Sequence, residues 1–316
     1  MRRIGLATVL AAMVSVLTPG TANAQEEPLP VPYNLYPAAA AAELTNPGAP
    51  PPGANEWNCQ PTAERPYPVV LLHGLFVNQT MNFQTISPLL KNDGFCVFST
   101  TYGLYGGETF PLNQIAARAS IERSGGEVSE FVDKVLARTG AKKVDIVGHS
   151  EGGVVGAEYV KHHGGDTKVN KLASLGSPLR GTDPFFVARL VNALKGFGLN
   201  WLVDGVTEES CQACIDVLEG SAFLRNLNEG GVAVDSVEYL NIASNYDQAV
   251  WPSTSGFIDD SPGVDNVENM LMQNECGQDF GDHLKMAANF NLVHRVANFL
   301  NPSHPVPPCR FVAPVP

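Results

Sequence analysis

Ser150 sits in Gly148-His149-Ser150-Glu151-Gly152, a G-x-S-x-G pentapeptide that follows the apolar run Val144-Asp145-Ile146-Val147 and leads into a helical stretch. A serine on a tight strand-to-helix turn has its hydroxyl thrust above the sheet edge, within reach of an imidazole. Its flanking glycines admit two backbones that come too close for a Cβ. The pentapeptide alone recurs by chance. In this strand–turn–helix setting it points to nucleophilic acyl chemistry, which needs a base for the serine, an acid to orient that base, and N–H donors for the oxyanion.

With the serine on such a turn, the acid and then the base follow it along the chain. The histidines after Ser150 are His162, His163, His283, His294 and His304. His162 and His163 fall at the far end of the helix after the nucleophile. His294 lies within the last helical stretch, and His304 in a proline-rich tail. His283 lies in Asp279-Phe280-Gly281-Asp282-His283-Leu284, a loop after the last strand-like run, and is the expected base. Asp247 follows the strand-like Val237–Ala243 through Ser244-Asn245-Tyr246 and is the expected acid. Its competitors are Asp216, Asp235, Asp259, Asp260 and Asp282. Backbone N–H groups of Glu151 and of Leu75, in His73-Gly74-Leu75-Phe76, are the expected oxyanion donors. His73 precedes the nucleophile, so it is read as orienting that loop.

Strands are expected at 69–72, 96–100, 144–147, 171–175, 237–243 and 267–272. Helices are expected near 127–138, 152–161 and 292–300. The alternation predicts an α/β domain, with a mostly parallel central sheet and helices on both faces. Residues 25–58 are rich in proline and alanine and read as an arm over the surface, with a short helix at 38–44. The catalytic domain is expected over 59–301 and a tail over 302–316. Between about 183 and 210 the chain is apolar without a strand signal. Phe185, Phe186 and Leu190, then Phe197, Leu199, Trp201, Leu202 and Val203, exceed what one amphipathic helix hides. This segment reads either as a permanent helical layer or as a lid-like insertion with an acyl pocket. Phe76, His149, Phe185, Phe186 and Leu190 are the expected substrate-binding residues.

Arg2 and Arg3 precede an uncharged, mostly apolar run from Ile4 to Leu17, and Ala22-Asn23-Ala24 fits a small-x-small cleavage site. Residues 1–24 therefore read as a secretory signal, too short to span a bilayer comfortably. Removing its two arginines lowers the net charge from −12 to −14. Such acidity disfavours nucleic acid and anionic lipid headgroups as partners. Six cysteines in an exported chain suggest disulfides. Cys59 with Cys96, Cys211 with Cys214 and Cys276 with Cys309 are the expected pairs. No His or Cys spacing suggests zinc, so no metal is expected.

Taken together, PVVLLHGLF (68–76), FCVFSTTYG (95–103), VDIVGHSEGG (144–153), LASLGSPLRGT (172–182), SAFLRNLNEGG (221–231), YLNIASNYDQAVWP (239–252) and DHLKMAANF (282–290) resemble the secreted bacterial lipases of the α/β-hydrolase superfamily, in particular the class 2 type from actinobacteria. The resemblance implies hydrolysis of triacylglycerol or related carboxylic esters without organic cofactor; the protein itself is expected to be a secreted or envelope-associated monomer. It maps the nucleophile, acid and base to Ser150, Asp247 and His283, and the oxyanion donors to Leu75 and Glu151. Two positions depart from the pattern. Glu151 stands where glutamine is common, setting a carboxyl near the oxyanion, and Leu75 is bulkier than the frequent threonine. The same residues also fit an acyltransferase that passes the chain to another alcohol, or a non-catalytic lipid carrier on this scaffold.

Overall fold

A computed structural model describes residues 27–196, 210–258 and 265–314. The proposed signal segment, the apolar positions from Phe197 to Val203, and Asp259 and Asp260 lie outside the described residues.

Six strands form one all-parallel sheet: β1 (Val69–Leu72), β2 (Val97–Thr100), β3 (Val144–His149), β4 (Val169–Leu175), β5 (Glu238–Ala243) and β6 (Val267–Leu271). Their spatial order is β2-β1-β3-β4-β5-β6. Strand β3 pairs with β1 through Leu72 opposite Gly148 and with β4 through His149 opposite Leu175. The strand that leads into Ser150 is therefore interior, and buried along its whole length. This is the α/β architecture that the strand and helix alternation predicts.

Alternating strand residues serve two separate cores, because successive side chains leave a strand on opposite faces. Val70, Leu72 and Ile146 pack with Val128, Val132 and Val135 of helix α4 (Ile121–Thr139) and with Val154 and Val155 of α5 (Glu151–His162). Val69, Leu71 and Val147 face the other way, against the helix at Ile86–Asn92 and Leu292, Val293 and Val296 of the helix at Phe290–Leu300. Helix α4 begins well before the expected 127. Ser120 caps it by accepting the Arg123 N–H, and Gly125 and Gly126, weak helix formers, obscure the first turns in sequence.

The 25–58 segment is fastened at many points. Leu29 exchanges hydrogen bonds with Asn92 of the Ile86–Asn92 helix, both at 2.8 Å. Asn55 does the same with Ser99 of β2, both at 2.9 Å. Between them, helix α1 (Leu35–Thr45) buries Ala39 and Glu43. All six cysteines are paired as expected. Cys59–Cys96 ties the segment to the start of β2, Cys211–Cys214 closes a short loop, and Cys276–Cys309 holds the tail.

Candidate active site

Ser150 directly follows β3 and is the N-cap of α5, with φ 56° and ψ −124°, a conformation most non-glycine residues avoid. Strain of this kind costs about 1–3 kcal/mol and persists only where the surroundings enforce it. Here the Ser150 N–H donates to the Leu175 carbonyl at 2.8 Å. On the other side α5 lies so close to β1 that a Cβ on Gly152 would stand 2.0 Å from the Leu72 oxygen. Together these contacts hold the hydroxyl above the carboxyl edge of the sheet, where open α/β sheets place ligands.

Strands β5 and β6 bring two more side chains to that edge. His283 Nε2 lies 2.9 Å from Ser150 Oγ, and its Nδ1–H donates to Asp247 Oδ2 at 2.8 Å. The other Asp247 oxygen accepts the N–H groups of Ala249 at 2.9 Å and Val250 at 2.8 Å. The carboxylate is thus oriented by two backbone donors and buried with the imidazole. This fixes the tautomer, leaving Nε2 to accept from the serine. Gln248 Oε1 accepts the His283 N–H at 3.0 Å and anchors the loop.

The loop after β1 closes on the serine from the opposite side. A Cβ on Gly74 would lie 3.1 Å from Ser150 Cβ, so the residue that follows it, Leu75, sits beside the nucleophile. Asn82 Oδ1 accepts the Gly74 N–H at 2.9 Å. His73 braces the same turn: its ring stacks on Tyr102 with centroids 4.2 Å apart, and its Nε2 accepts the Tyr102 N–H at 3.3 Å. Its Nδ1 therefore donates to the Gly74 carbonyl at 3.0 Å. Burial lowers the His73 pKa to about 4, in keeping with a neutral ring that props the backbone.

Glu151 opens α5, where first-turn N–H groups have no intrahelical acceptor and the helix dipole favours negative charge. Its side chain is only 1 % exposed, and neither carboxyl oxygen finds a hydrogen-bond partner among the described residues. Burial, then repulsion from Asp216, raises its pKa well above the usual carboxylate value. Both effects favour the uncharged carboxyl, which has the shape and neutrality of a glutamine side chain.

A cavity opens at Ser150, His149 and His283. Its walls are apolar: Leu75, Val77 and Met81 on one side, Leu190 and Leu194 of helix α6 (Phe186–Gly196) on another, and Ala39 and Ala40 of α1. Of the expected substrate-binding residues, His149 and Leu190 line it. The other three do not. Phe76, at φ 65°, donates its N–H to Ala116 O and turns into the core. Phe186 is buried in that same core, and Phe185, just ahead of the helix, is 70 % exposed. The cavity face of α6 is instead the Leu190–Leu194 pair, one turn apart. The alanines of α1 escape sequence reasoning because small apolar residues carry no positional signal.

The competing histidines and acids lie elsewhere. His162 and His163 contact Glu158, at 2.8 Å and 3.3 Å. His294 meets Tyr33 and His304, at 3.1 Å and 2.9 Å. Asp216 accepts the Ile121 N–H, and Asp282 the Lys285 N–H. No group of three or more His, Cys, Asp or Glu among the described residues is disposed to hold a metal.

Residues 66–282 match the family model described as Lipase (class 2). A triacylglycerol lipase of Vibrio cholerae is 33% identical over 171 residues, which cover 53% of this chain and 46% of that protein. One of Burkholderia plantarii is 30% identical over 154 residues, covering 47% of this chain and 38% of that protein. The chain thus spans less than half the length of these curated relatives. Lipase B of Aspergillus fumigatus shares the fold, with a TM-score of 0.55 at 15% identity over 82% of this chain and 57% of that one. With the family model covering well over half of its residues, the chain belongs to the class 2 lipase family.

Proposed function

We propose that this protein is an exported serine hydrolase that cleaves carboxylic esters of fatty acids through an acyl-enzyme on Ser150. The observation that carries this is the hydrogen-bonded line from Ser150 Oγ through His283 to Asp247, at 2.9 Å and 2.8 Å, at the mouth of an apolar cavity. His283 Nε2 takes the serine proton as Oγ attacks the ester carbonyl, and Asp247 stabilises the imidazolium. The N–H groups of Leu75 and Glu151 receive the oxyanion. His283 then protonates the departing alcohol, and water, deprotonated by the same ring, releases the fatty acid.

The substrate class follows from the walls. Alanine, leucine, valine and methionine side chains suit an alkyl chain and offer few partners to a polar acyl group. Exposed Phe185, immediately before α6, would contact a lipid phase when the substrate is presented at an oil–water boundary. Export is supported by the three disulfides and by the charged-then-apolar N-terminus. Ser150→Ala should lower turnover of p-nitrophenyl esters by about 10⁶-fold, abolish fluorophosphonate labelling and leave the circular dichroism unchanged. Full activity in that variant would refute the assignment. Measuring how product divides between free acid and new ester when an alcohol is added separates hydrolysis from acyl transfer.

A further inference from the structure

The side chain of Glu151 has no part in the chemistry above, which uses only its N–H. It is nevertheless the buried carboxyl nearest along the chain to the nucleophile, and it has no hydrogen-bond partner among the described residues. We propose that Glu151 is a positioning residue whose uncharged carboxyl keeps the oxyanion amide effective, and that its ionisation sets the alkaline limit of catalysis. The proposal rests on the assigned roles of Ser150 and of the Glu151 N–H.

Three observations support it. First, an ionised carboxylate at this position would lack both water and donors, a situation proteins avoid by keeping the group protonated. Second, the groups facing it reinforce that state. Asp216 presents a carboxylate already engaged by the Ile121 N–H and Gln212. Tyr102 lies near enough for the Glu151 charge to oppose its own ionisation, and its hydroxyl is committed to the His73 carbonyl. Glu127 of α4 also acts on Tyr102 and is bonded to the Gly103 N–H and to Arg123. The buried Arg118 is taken up by Glu108 and by the Ile115 and Ser210 carbonyls. Third, the carboxyl belongs to the residue whose N–H is to face a developing negative charge, in a dry site where an added anion acts strongly. Loss of its proton sets like charge against the oxyanion and against Asp216 together.

The test compares wild type with Glu151→Gln, which has the same shape and no titrating proton, and with Glu151→Met, which removes the polar group altogether. Esterase activity on a soluble short-chain substrate is followed by acid release from about pH 6 to about pH 10. Wild-type kcat/KM should fall at least about tenfold along a one-proton alkaline limb, with kcat falling and KM little changed, while both variants lack this limb whatever their activity at neutral pH. Stability supplies a second readout. The pKa of this carboxyl is raised on folding, so the stability it contributes is intact below the unfolded value near 4.5 and declines as pH rises toward the folded value. The melting-temperature gain of Glu151→Gln over wild type should therefore grow with pH. Superimposable alkaline limbs, or a gain that does not change with pH, would overturn the proposal. Failure of the wild type to react with a fluorophosphonate would overturn the Ser150 reading itself, and this proposal with it.

Discussion

Nε2 of His149 lies 3.0 Å from the carbonyl oxygen of His283, so the residue before the proposed nucleophile meets the backbone of its proposed base. Burial and the neighbouring His283 lower the His149 pKa to about 3, which keeps the ring neutral. With Nδ1 also 3.1 Å from Asn82 Oδ1, the ring lies between two oxygen acceptors, and its Nε2–H tautomer donates to the His283 carbonyl. The distance between Ser150 and His283 is thus set by the β3 turn itself, and does not depend only on the long loop after β6.

His149→Ala should therefore damage catalysis without touching a reacting atom. The His283 carbonyl loses its donor and a buried cavity opens beside it. A misplacement of about 1 Å can cost about a hundredfold, so kcat/KM on p-nitrophenyl butyrate should fall by roughly that factor. Unfolding in urea should show a loss of about 2–4 kcal/mol. A variant retaining wild-type kcat would show that the loop needs no such anchor.

Ala40 of α1 and Leu190 of α6 bound the cavity from different parts of the chain. Replacing Ala40 by leucine fills space that an acyl chain would use. Rates across p-nitrophenyl esters of increasing length should show near-normal turnover of short chains and at least about a tenfold loss on long ones. A uniform loss at every length would place the chain elsewhere.

Gly176 follows β4 at φ 59°, and a Cβ there would stand 2.8 Å from Met286 Sδ and 3.2 Å from both Asp247 Oδ2 and His283 Nδ1. Gly176→Ala should separate acid from base. We expect kcat to drop by about 10²-fold or more, with a destabilisation of about 1–3 kcal/mol from the left-handed backbone. Differential scanning calorimetry and steady-state kinetics read the two effects separately.

The parts of the site visible in sequence are those that a chain order or a periodicity encodes. The β3–α5 turn announces itself through Gly148 and Gly152, and the order after Ser150 narrows acid and base to Asp247 and His283, which the fold brings together. The central strands are legible because both faces are buried, giving near-continuous apolar runs such as Val69–Leu72. Other features depend on contacts between distant segments, which no local pattern records. Asn82 holding Gly74, Gln248 holding His283, and Ala39 and Ala40 walling the cavity belong to this class. The expected roles of Phe76, Phe185 and Phe186 fail for a related reason: large apolar side chains mark core and pocket alike, and only packing tells which. Glu151 is a third kind, since its identity is plain in sequence but its charge state depends on burial.

One wall of the cavity comes from α1, which precedes the 66–282 stretch that matches the family. Under the proposed function, acyl-chain preference would then rest partly on residues outside the segment shared with homologues. Exchanging α1 between two of them offers a way to retune one without disturbing its nucleophile.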